Sequence, residues 1–142
     1  MEESIYQDSI INEALNTLKD TKIYYKDASL IIDELETLTV IDVNTSGIKS
    51  NQKKEVFFED INRKILEPLA YNLKFRNIGG MVVIDFLRVE KKQDLEEEFK
   101  NILDFYGLEY EIHGFTNMGL FELTLKRRGE SLTRLLKKRH II

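Results

Sequence analysis

The chain has 142 residues, 42% hydrophobic and 32% charged, with 21 Lys and Arg against 25 Asp and Glu for a net charge of −4. That balance describes a soluble globular protein of one domain with its own hydrophobic core, and it excludes disorder, a membrane span and nucleic-acid binding through bulk positive charge. The absence of cysteine removes disulfides and thiolate metal sites, and the acidic opening "MEESIYQDSI" lacks an apolar signal core, so a cytoplasmic protein is expected.

Ile10, Ile11, Ala14, Leu15 and Leu18 recur at helical spacing, predicting a helix over about 9–19 with Ser9 as its N-cap. "KIYY" (22–25), "SLIID" (29–33) and "TVIDVN" (39–44) read as strands, and "TSGIKSNQ" as a polar loop. From about Lys53 to Phe75 the apolar positions again fall at helical spacing, although Pro68 removes a backbone donor and should break or kink that helix. "NIGG" is a tight connection into "MVVIDFL" (81–87), whose continuous apolar run suits a central strand buried on both faces. An amphipathic helix over about 93–106 stops at Gly107, two strands follow in "EYEIHGF" and "LFELTLK", and "GESLTRLLKKR" closes the chain as a basic helix. The order predicts a mixed α/β (α+β) fold, a mixed sheet flanked by helices in a single domain over 1–142.

Two strands of similar character end in aspartate, "TVIDVN" and "VVIDFL". Period-two alternation puts Asp42 and Asn44 on one face and Ile41 and Val43 on the other. If the strands are neighbours, Asp42 and Asp85 point at the same place. Two close carboxylates repel unless a cation joins them, and such oxygen donors suit a hard cation such as Mg²⁺. Satisfaction by a hydrogen-bond network, or by a basic side chain such as Arg76 or Arg88, is the other way to keep those charges. His113 and His140 are isolated and read as structural or surface residues.

With these residues in view, "LETLTVIDVNTSG", "NLKFRNIGGMVVIDF" and "GFTNMGLFELTLKR" together resemble the catalytic core of the ribonuclease E/G family, and the likeness runs over nearly the whole chain. It implies the DNase I-like subdomain of that family. It further implies that Asp42 and Asp85 are catalytic and hold Mg²⁺ (Mn²⁺ can substitute), and that Asn44 supports the site by hydrogen bonding. The implied reaction is endonucleolytic cleavage of single-stranded RNA by metal-activated water, leaving a 5′-phosphate. Asn62 matches the asparagine that leads the family's helix. Lys74 and Arg76 match two basic positions before "NIGG", and Lys126 and Arg127, with the adjoining Arg128, match the terminal basic pair; these five are the expected phosphate contacts.

The sequence departs from the family pattern at Lys64, Arg88, Leu125, Asn117-Met118 and the "TSGIK" loop. Family members carry an OB-fold, an end-sensing region and a cysteine pair through which two subunits share zinc. These 142 residues contain none of them, so weak RNA binding, no zinc and no zinc-linked dimer are expected. A non-catalytic RNA-binding or regulatory relative is the alternative reading.

Overall fold

The computed structural model describes residues 2–46 and 53–142, with side chains from residue 8 onward. Of the loop read over 45–52, residues 47–52, with Ile48 and Lys49, lie outside the described residues. Ten elements follow in chain order: α1 (Glu2–Lys19), β1 (Lys22–Tyr25), β2 (Ala28–Glu34), β3 (Thr39–Thr45), α2 (Lys54–Phe75), β4 (Gly80–Asp85), α3 (Lys92–Phe105), β5 (Tyr110–Phe115), β6 (Phe121–Leu125) and α4 (Leu132–Lys138). Six strands form one mixed sheet in the order β1-β2-β3-β4-β6-β5. The expected mixed α+β architecture is therefore present.

The β3–β4 pair is parallel and the other four pairings are antiparallel. Parallel neighbours need a crossover connection, and α2 supplies it. Its stripe of Ile61, Ile65, Leu66, Leu69 and Leu73 packs on Ile41, Val43, Val82 and Ile84, and α3 adds Leu95, Phe99 and Leu103 to the same layer. Gly107, at φ +70, ends α3 in the left-handed conformation that glycine adopts without penalty.

Three expectations are corrected. Helix α1 runs through Ser9, which is no cap. Helix α2 continues through Pro68 without a break. A helical proline costs about 3 kcal/mol, but burying a leucine contributes roughly 1.5–3 kcal/mol, and Leu66, Leu69 and Leu73 are all fully buried around it. Packing wins.

The third correction concerns β4, which is covered on one face only. Val82 and Ile84 are fully buried, whereas Met81 is 51% exposed and Val83 is only partly covered. Helices α2 and α3 sit on one side of the sheet, and Val40, Asp42, Val83 and Asp85 face the other.

Candidate active site on the open face of the sheet

The sheet ladder brings the two aspartates together. Asp42 pairs with Asp85 in the parallel β3–β4 register, the rung after Ile41–Ile84. Since Ile41 and Ile84 are both buried toward the helices, alternation turns both carboxylates to the open face. Neighbouring strands stand roughly 4.8 Å apart, so the two side chains leave the sheet side by side. Asn44 lies two residues on, on the same face, opposite Ser29 of β2.

This face is acidic. Asp33 and Glu122 share the neighbouring row, through Asp33–Val40 on one side and Val83–Glu122 on the other. Burial pushes the Asp42 carboxyl above its usual value, and the charges of Asp85 and then Asp33 push it further, while a hydrogen bond from the Val43 backbone pulls the other way. Neither basic side chain considered as a partner reaches the pair: Arg88 bridges Glu90 at 3.1 Å, and Arg76 is engaged elsewhere. Among the described residues no salt bridge reaches Asp42 or Asp85.

The donor chemistry fits a hard divalent cation. Two adjacent carboxylates, one with its charge disfavoured, are relieved by a positive ion. Among the described residues no third His, Asp or Glu completes a cage. An ion here would keep several waters, which is how Mg²⁺ binds protein sites. A cleft of about 390 Å³ opens beside Asp85, bounded by Arg88, Lys92, Phe115 and Asn117.

The five expected phosphate contacts lie at the other end of the sheet. Lys74 and Arg76 precede β4, and Lys126, Arg127 and Arg128 follow β6, which runs antiparallel to β4. The five steps from Gly80 to Asp85 make roughly 17 Å. Lys74 is exposed. Lys126 and Arg128 are exposed and share Glu109 at 3.1 and 2.9 Å. The Arg127 guanidinium lies against Gly80, which sits at φ +83 and leaves it room: a Cβ there would come within 2.7 Å of Arg127 Nη2.

Arg76 is the correction. It is 2% exposed, and its guanidinium donates to Asn72 Oδ1 at 3.3 Å and to the carbonyls of Thr17 and Asp20 at 3.1 and 3.2 Å. A side chain so enclosed has no face for a phosphate. It holds the end of α1 against α2. Burial pulls its pKa down, and Glu34 and Asp20 offset part of that.

A sequence profile of the ribonuclease E/G family matches residues 1–128. The chain belongs to the ribonuclease E/G family. It is similar to a ribonuclease G of Haemophilus influenzae, 29% identical over 130 residues that cover 89% of this chain and 26% of that protein. It is similar also to a ribonuclease E of Synechocystis, 37% identical over 111 residues (75% of this chain, 16% of the relative), and to a ribonuclease E/G-like protein of Porphyra purpurea, 34% identical over 110 residues (75% and 22%). The chain thus spans about a quarter or less of the curated relatives it matches.

Within this ribonuclease E/G chain, one further buried side chain lies close to the strand that carries Asp85. Asn62, matched to the family by position, was given no task. It lies on the apolar stripe of α2 beside Ile61 and Ile65, and a buried amide on such a stripe needs partners. Those partners are the main-chain groups of Leu87.

Proposed function

We propose that this chain forms the cation-binding and cleaving core of an endoribonuclease acting on single-stranded RNA, with Asp42 and Asp85 holding Mg²⁺ (or Mn²⁺ in its place) and Asn44 hydrogen-bonding within the site. The observation that carries this reading is the Asp42–Asp85 rung, two carboxylates in register on an open face with no basic partner among the described residues. A bound cation supplies charge neutralisation, polarisation of a phosphodiester and a more acidic water, which is the chemistry of hydrolysis to a 5′-phosphate. The chain's own part is to fix two oxygen donors side by side, and the ion in turn favours their charged form. An acidic face repels RNA, so phosphate approaches only where that charge is cancelled. Lys74, Lys126, Arg127 and Arg128 then serve as distant backbone contacts, and Arg76 does not. The setting is cytoplasmic, and neither zinc nor a zinc-linked dimer enters this reading.

The test is cleavage of a single-stranded A/U-rich RNA by the chain with Mg²⁺ or Mn²⁺, set beside Asp42→Asn and Asp85→Asn. Cation-dependent cleavage with 5′-phosphate ends, lost in both variants, is the expected result. Equal cleavage by all three proteins sinks the assignment, and RNA binding without cleavage in wild type points to the non-catalytic relative.

A further inference from the structure

Asp85 is the last residue of β4 to be held by the sheet. The pairing with β6 ends at Ile84–Phe121 and that with β3 at Asp42–Asp85, so beyond this rung no ladder fixes the chain. Two contacts take over. Phe86, 6% exposed, packs its ring against Phe99 and Phe121 with centroids 6.2 and 6.0 Å away. Asn62, 1% exposed on α2, donates from Nδ2 to the Leu87 carbonyl at 2.8 Å and accepts the Leu87 N–H on Oδ1 at 3.0 Å.

Among the side chains of ordinary size only an amide offers one donor and one acceptor side by side, so Asn62 imitates the strand that is missing at this point. The two bonds satisfy the N–H and the C=O of Leu87, part-buried main-chain groups that no ladder pairs at this point. They also set the direction in which the chain leaves Asp85.

We infer that Asn62 is a positioning residue for Asp85: by clasping the Leu87 peptide it holds the Asp85 carboxylate beside Asp42 for the cation. The inference rests on the reading of that pair as a cation site. It gives the helix a task that core packing alone does not require, because the amide could be exchanged for an apolar residue if Leu87 were paired elsewhere.

The test measures Mn²⁺ affinity of the 142-residue chain by calorimetry for wild type, Asn62→Ala and Asn72→Ala. Asn72 is a buried amide at the far end of the same helix, bonded to the Pro68 carbonyl and to Arg76. Residues that orient metal ligands typically change affinity 10–100-fold when removed, and Asn62→Ala is expected to weaken Mn²⁺ by about that much. Asn72→Ala should lower thermal stability and leave the affinity near wild type. A second measurement needs no variant: coupling is reciprocal, so Mg²⁺ saturation should slow hydrogen exchange of the Leu87 amide in the wild-type chain. Undiminished Mn²⁺ affinity in a folded Asn62→Ala, or a Leu87 amide indifferent to Mg²⁺ while the ion binds, overturns the role of Asn62 and leaves the cation site standing. A wild-type chain that binds neither ion removes both.

Discussion

Asp42 and Asp85 share one rung of the parallel β3–β4 ladder, and the fold thereby sets two carboxylates side by side with no salt bridge to either among the described residues. A register fixed by buried Ile41–Ile84 and Thr39–Val82 rungs cannot slip by one residue without turning the core face of β3 outward. The carboxylate pair is therefore held in place by the hydrophobic core beneath it.

Asp42→Asn should stabilise the protein at neutral pH. The Asp42 carboxyl titrates above its ordinary 3.8, so the folded state favours the protonated form. That preference contributes stability below the ordinary value and is lost as pH rises through the raised one. The variant's advantage should be absent in acid, grow as pH rises through the raised value and then level off, and it should be small because the group is partly screened by solvent. Thermal melts across pH check this, and added Mg²⁺ should raise the melting temperature of wild type but not of the variant.

Arg76→Met should unfold the protein more easily without affecting RNA. It takes the donor from the buried Asn72 Oδ1 and from the part-buried Thr17 and Asp20 carbonyls, at a cost of about 1–3 kcal/mol. Denaturant melts give the stability loss. RNA affinity, measured below the unfolding transition, should match wild type.

Combined replacement of Lys126, Arg127 and Arg128 by alanine should weaken RNA binding and flatten its salt dependence. Each phosphate contact on a single strand adds about 0.7 to the slope of log affinity against log salt, so the slope should fall by up to about 2. The bridges of Lys126 and Arg128 to Glu109 are exposed and screened by solvent, so folding should barely change. In cleavage assays the loss should fall mainly on KM.

Phe121→Ala should be among the most damaging core substitutions. Its ring meets Phe86, Phe99 and Phe115 at 6.0, 5.8 and 5.0 Å, directly below the chain that carries Asp85. Aromatic truncation in a packed core costs about 3–5 kcal/mol. Chemical denaturation measures it, and Mn²⁺ affinity should fall in parallel as Phe86 loses its seat.

Much of this was legible in the sequence because the governing signals are local. The order of the elements followed from apolar periodicity, and the candidate pair from two strands that each reach aspartate after an apolar run. What escaped depended on contacts between distant segments. "MVVIDFL" reads the same whether one face of the strand is covered or both, and the exposure of Met81 and Val83 is set by where the helices settle. Pro68 looked like a break because its cost is local and the burial that overcomes it is not. Lys74 and Arg76 stand two positions apart with similar chemistry, yet one is in water and the other is enclosed by α1, nearly sixty residues earlier. Nothing adjacent to position 76 in the sequence records that.

Residue 76 also ties the two ends of the fold together. Its side chain is held by Asn72 and by the carbonyls of Thr17 and Asp20, whereas its own carbonyl accepts the Leu132 amide at the start of α4. The first and last helices of these 142 residues are in this way fastened to one residue, α1 through its side chain and α4 through its main chain.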